Sequence, residues 1–168
     1  MMKKIFAIAI MLLTSFGAFA QEGKRIYTKY SDSEGVSAVY ISPSMFKIIG
    51  KLPELEIEVG NGEKMDIAPL VRSFSGFYLL DISDTSQATA LTGDVNSMIG
   101  KGRYEMLMEM KDDGTAVRIY TSGDEKIIES FIFIASEENE AQFICLDGSM
   151  NREDVEALIT KAAEQYKN

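Results

Sequence analysis

Apolar residues recur along this chain with two different periods, and the change of period separates its halves. In the second half Tyr104, Met106, Met108 and Met110 alternate with Glu105, Leu107, Glu109 and Lys111. Alternation of this kind is the period of a β-strand. Asp113-Gly114 then supplies a favoured two-residue hairpin turn. Folding about it sets Met110 opposite Val117, Met108 opposite Ile119, Glu109 opposite Arg118 and Leu107 opposite Tyr120. In that register the methionines read as a core-facing row, and the other face gains an ion pair. A slip of one residue would lose both, so pairing and pattern agree. Residues 127–136 and 141–146 give two further strands, joined by Glu137-Glu138-Asn139-Glu140. The first carries Ile128, Ile132 and Ile134 on one face and Phe131 and Phe133 on the other, the pattern of a central strand covered on both sides.

The first half runs mostly at helical spacing. Residues 24–31 place Ile26, Tyr27 and Tyr30 on one face, and Gly35 breaks the helix. Ser42 caps the next one and Pro43 fits its first turn, where a missing N–H costs nothing. Met45, Phe46, Ile48 and Ile49 form its apolar stripe, and Gly50 ends it. Asp66 caps a short helix running through Pro69 to Phe74, with Gly76 as its break. Ser83 or Asp84 begins a longer one, with Ala88, Leu91, Val95, Met98 and Ile99 inward and Gly100 and Gly102 at its end. Asn151 caps the last, with Asp154 at capping-box spacing and Val155, Leu158, Ile159 and Ala162 inward. Strands are expected over 36–41 and 77–82. Residues 51–64 read as an exposed strand or extended loop, turning at Gly60-Asn61-Gly62. The sum is one α+β domain: a mostly antiparallel sheet that ends in a four-strand meander, with helices packed on a face.

The first twenty residues stand apart from this pattern. Lys3 and Lys4 precede an apolar run from Ile5 to Phe16, and Ala18-Phe19-Ala20 offers a small-x-small cleavage site before Gln21. These are the three parts of a secretory signal peptide. The run is shorter than the roughly 20 residues a membrane span needs. The expected mature chain is therefore residues 21–168, exported and soluble. Gln21 stands where a lipoprotein would need a cysteine, so no lipid anchor is expected. Removing the leader with its two lysines takes the net charge from −9 to −11. That balance disfavours nucleic acid and anionic membrane surfaces as partners.

The chain has no histidine and a single cysteine. No histidine means no Ser-His-Asp or Cys-His catalysis, and no donor set for a closed zinc site. Cys145 lies in an apolar strand and reads as a small buried hydrophobe. No catalytic residue, metal site or cofactor is expected. Ser44-Met45-Phe46-Lys47 matches the S-x-x-K of penicillin-binding enzymes, but the K-T-G that accompanies it is missing, since Tyr120-Thr121-Ser122-Gly123 lacks the lysine. Gly100-Lys101-Gly102 has the wrong spacing for a phosphate loop. Asp147-Gly148-Ser149-Met150-Asn151 begins like a calcium loop, but Arg152 and Leu158 stand where that loop needs Gly and Glu.

Several segments together resemble an exported family of the Bacteroidetes, domain of unknown function 4252. They are Val39-Tyr40-Ile41-Ser42 before Met45-Phe46, Tyr104-Glu105 and Met108-Glu109 before Asp112-Asp113-Gly114, Val117-Arg118-Ile119-Tyr120, Ile128-Glu129 and Leu146-Asp147-Gly148. The resemblance implies residence in a Gram-negative envelope or periplasm, and it brings no catalytic residues. The functional expectation is a non-enzymatic module that binds a protein partner or a second copy of itself. Its expected surface is a sheet-face patch of Leu107, Tyr120, Phe131 and Phe133. The alternative is a small-ligand or carboxylate-dependent hydrolytic domain, for which an acid-lined pocket is the requirement.

Overall fold

The computed structural model describes residues 21–51, 56–59 and 63–164. The expected leader, with Ala18 and Ala20 at its cut, lies outside the described residues, as does the Gly60-Asn61-Gly62 turn. In chain order the elements are α1 (Glu22–Tyr30), β1 (Val36–Ile41), α2 (Pro43–Ile49), β2 (Glu56–Val59), β3 (Glu63–Asp66), α3 (Ala68–Ser73) and β4 (Phe74–Ile82). Then follow α4 (Thr85–Lys101), β5 (Tyr104–Asp112), β6 (Thr115–Gly123), β7 (Ile127–Ser136), β8 (Ala141–Asn151) and α5 (Arg152–Glu164). Six strands form one antiparallel sheet in the order β1-β4-β8-β7-β6-β5, and β2 pairs separately with β3. The fold is α+β, and β5 to β8 are the four-strand meander.

Local chemistry explains most boundaries. Asp113 and Gly114 both take positive φ, 41° and 88°, as a tight hairpin turn with the strand twist demands. The register then holds from Asp112↔Thr115 to Met108↔Ile119. Arg118 Nε donates to Glu109 Oε2 across it at 2.6 Å. Beyond Met108 a bulge takes up Leu107, so Met106 rather than Leu107 stands opposite Tyr120. Ser42 Oγ accepts from Met45 N at 3.2 Å, Asp84 Oδ1 from Gln87 N at 2.9 Å, and Asn151 Oδ1 from Glu153 N at 2.9 Å. Three helix starts are thus capped by the residues the sequence offers for it. Gly76 breaks nothing: it lies inside β4, where an added Cβ would sit 2.6 Å from the Tyr78 hydroxyl. The glycine serves a close approach, not a turn.

The main core lies on one face of the sheet. There Ile26 and Tyr30 of α1 and Leu91 and Val95 of α4 pack onto Leu80, Ile132, Ile134 and Phe143. Asp94 ties the two helices together, accepting from Lys29 Nζ and, at 2.7 Å, from the Tyr30 hydroxyl. A smaller cluster of Ile128, Met150 and Val155 forms where α3 and α5 meet β8, with Leu70, Phe74 and Leu146 packed on it. The α2 stripe is only partly used. Phe46 is buried edge-on against Phe74, at 5.2 Å between ring centroids, while Met45 and Ile48 are exposed.

Candidate functional site

Antiparallel partners point their side chains to the same face of a sheet. Following the register strand by strand therefore sorts every position. Tyr120 pairs with Ile132 and is buried in the main core, on the face under α1 and α4. Phe131 and Phe133 alternate with Ile132 and Ile134 and are half-buried on the opposite face. Leu107 is exposed in the β5 bulge. The four residues of the expected patch are thus not one surface. The bulge separates Leu107 from Tyr120, and the strand period sends Tyr120 and the two phenylalanines to opposite sides.

The face bearing Phe133 carries a different and longer row. Val39 pairs with Leu79, Leu79 with Ile144, Ile144 with Phe133, Phe133 with Ile119, and Ile119 with Met108. One apolar residue from each of the six strands stands in line from edge to edge. The inner four are half-buried, and the ends, Val39 and Met108, are 46% and 43% exposed. The neighbouring row runs Ser37, Asp81, Gln142, Ala135, Val117, Met110. On the other side lie Ile41, Phe77, Leu146, Phe131, Thr121 and Glu105. At that end Leu146 is packed into the small cluster with Leu70 and Phe74. Across the three rows only Asp81 and Glu105 carry charge, although 26% of the chain is charged.

Met108 and Met110 belong to this picture, while Met106, paired with Tyr120 beyond the bulge, lies on the core face at the outer edge of the sheet. Met106, Met108 and Met110 are 50%, 43% and 50% exposed. Their strand is the sheet edge, so among the described residues only β6 pairs with it, and alternation alone does not say which face is covered. Six strands at about 4.8 Å and two rows at about 7 Å give an open footprint on the order of 400 Å². The row from Val39 to Met108 supplies its apolar half, and Ala135, Val117 and Met110 extend it toward the β5 edge.

On the core face, three polar side chains meet in the interior. Ser130 Oγ donates to Asp147 Oδ1 at 2.9 Å, and Cys145 Sγ approaches the same oxygen at 3.3 Å. Asp147 Oδ2 is buried and has no hydrogen-bond partner among the described residues. Burial pushes the Asp147 carboxyl above its ordinary range, against the two donors that favour its charged form. Burial, and then the Asp147 charge, push the Cys145 thiol well up. Burial also raises Tyr78 to about 12, with Asp147 adding to it. Cys145 is fully buried, as its apolar surroundings predict. A thiol so held lacks the exposure and the electropositive setting of a nucleophile. The buried carboxylate is hidden at the level of sequence, because Asp147-Gly148 follows the strand expected over 141–146 and looks like a turn, yet it lies mid-strand in β8.

A shallow depression of about 320 Å³ lies between the β5–β6 and β7–β8 turns, lined by Asp113, Thr115, Glu137, Glu138, Asn139 and Glu140. Among the described residues no group of three or more His, Cys, Asp and Glu is placed to hold a metal ion. No described helix is long and apolar enough to cross a membrane.

A family model described as a domain of unknown function, DUF4252, matches residues 30–158. The chain belongs to the DUF4252 family. The match runs from the end of α1 into α5, so the DUF4252 region contains every strand of the sheet, the open apolar row and the Ser130–Asp147 pair. No curated protein and no solved structure matches the chain.

Proposed function

We propose that this chain is a non-enzymatic interaction module of a Gram-negative cell envelope that receives a protein partner on its open sheet face. The observation that carries the reading is the row from Val39 to Met108, one apolar residue per strand across the whole sheet. Depletion of charge and enrichment in Met and Phe are the compositional marks of an interface centre. The leader-like run at residues 5–16 and the cleavage pattern ending at Ala20 support export, and Gln21 supports a chain without a lipid anchor. The lack of histidine and the burial of Cys145 and Asp147 support a role without catalysis.

Site-specific photo-crosslinking in the host envelope tests this. A photoreactive residue at Ile119 or Phe133 is expected to give a discrete protein adduct, while one at exposed Thr89 on α4 gives none. Equal labelling from all three positions, or none from the sheet face, would reject the reading.

The ligand-binding or hydrolytic alternative has one feature in its favour, the acid-lined depression near Glu137. Its walls are exposed turns and its carboxylates stand in water, so it lacks the enclosure with which active sites exclude solvent.

A further inference from the structure

The two edges of the main sheet are built differently. The β5 edge carries the bulge at Leu107 and the charges of Glu105, Glu109, Lys111 and Asp112. Bulges and charges are the devices that keep an edge strand from pairing with another chain. The β1 edge has neither. Val36–Ile41 contains no charged residue and no proline, and it pairs with β4 in unbroken register. Its Val39 and Tyr40 are each 46% exposed. We propose that β1 is a self-pairing edge: a second copy of this chain adds its own β1 antiparallel, on a two-fold axis through Val39, and the two sheets become one.

The side chains choose the register. A two-fold axis normal to the sheet keeps both helix layers on one side and must pass through a residue. Through Val39, it sets Val39 against its own counterpart, Tyr40 against Ala38 of the copy, and Ile41 against Ser37 of the copy. Off the axis, each large side chain meets a small one. Tyr40 already stacks on Tyr78, with ring centroids 5.3 Å apart, so the ring is held in place before the copy arrives. Through Ala38 instead, two alanines would meet on the axis, Tyr40 would face Val36, and Ile41 would overrun the strand to Gly35. Charge favours the same strip. A chain of net charge −9 repels its copy, and β1 is an uncharged edge on which two copies can meet.

The gain in area bears on function only if the open face receives a partner, as proposed above. One open face, on the order of 400 Å², is about half of what each side of a standard stable interface buries, about 800 Å². Pairing at Val39 runs the two apolar rows into one and doubles the face offered to a partner.

Cysteine capture tests the pairing. Val39→Cys and Met108→Cys lie at opposite ends of the same row with nearly equal exposure, and Cys145 is too buried to compete. Directly opposed residues on paired strands stand close to disulfide distance, so V39C is expected to form a covalent dimer roughly tenfold or more faster than M108C. Sedimentation velocity is expected to show the unmodified chain dimerising, V39K monomeric and M108K unchanged. Equal oxidation rates for the two cysteine variants, or an unmodified chain that stays monomeric at high concentration, would overturn the proposal. If photo-crosslinks from Ile119 persist in that case, the open-face reading survives without it. If those crosslinks are absent while V39C dimerises, the pairing stands and the partner reading fails.

Discussion

The Ser130 hydroxyl donates to Asp147 Oδ1 at 2.9 Å in a place where both residues are buried. The bond satisfies one carboxylate oxygen and leaves the other without a partner among the described residues. Because burial raises the Asp147 pKa, the folded chain holds this proton at a pH where the unfolded chain has released it. Stability linked to Asp147 is therefore greatest in acid and is lost as pH rises from the ordinary carboxylate range toward the raised value. Asp147→Asn abolishes that dependence. The urea midpoint of D147N minus that of the parent should rise as pH rises from the ordinary carboxylate range, and level off once Asp147 ionises in the fold. A difference that stays flat with pH would show that Asp147 is ionised in the fold throughout.

Asp94 works with the opposite sign. Lys29 first, and then Tyr30, hold its carboxyl below the ordinary range. Stability from this group is present above its unfolded pKa and is lost as pH falls through the lowered one. Tyr30→Phe removes one donor from Asp94. It should cost about 0.5–1.5 kcal/mol near neutrality, and the cost should shrink as pH falls through the lowered Asp94 value and the carboxyl takes up its proton. Denaturant titrations at pH 7 and pH 3 measure both values.

Two helical glycines make a paired prediction. An added Cβ at Gly23 would overlap Cys145 Sγ and lie 3.0 Å from Cys145 Cβ, whereas at Gly93 it would meet nothing within 4 Å. Gly93→Ala should therefore stabilise by about 0.5–1 kcal/mol through helix propensity alone. Gly23→Ala should destabilise by about 1–3 kcal/mol through overpacking. Adding Cys145→Ala to G23A should recover part of the loss, because it removes the atom that clashes. Thermal melts of the four proteins decide this, and a G23A as stable as G93A would contradict the packing of α1 on β8.

The hairpin shows where a sequence informs and where it stops. The Asp113-Gly114 turn and the alternation around it were enough to place Met110, Glu109 and Met108 opposite Val117, Arg118 and Ile119. They were not enough to place Tyr120, because a bulge inserts one residue at Leu107 and leaves the periodicity of the sequence unchanged. The helix caps at Ser42, Asp84 and Asn151 were legible, since each is a local matter of one side chain and the N–H groups that follow it. Burial on the two sides of the sheet was not. Period 2 puts Met108 and Met110 on a face, but whether a helix lies over that face depends on α1 and α4 packing far along the chain. The same limit hid the apolar row, whose six members come from six strands and meet only through the strand order β1-β4-β8-β7-β6-β5.

The face bearing Ile119 and Ile144 is open, while the face bearing Ile132 and Ile134 is closed by α1 and α4. Methyl NMR of residues 21–168 with a soluble paramagnetic agent separates the two most directly. Strong broadening of the Ile119 and Ile144 methyl signals is expected, with little of those from Ile132 and Ile134. Equal protection of all four would show the face already covered in the isolated chain, and the interaction surface would have to be sought elsewhere.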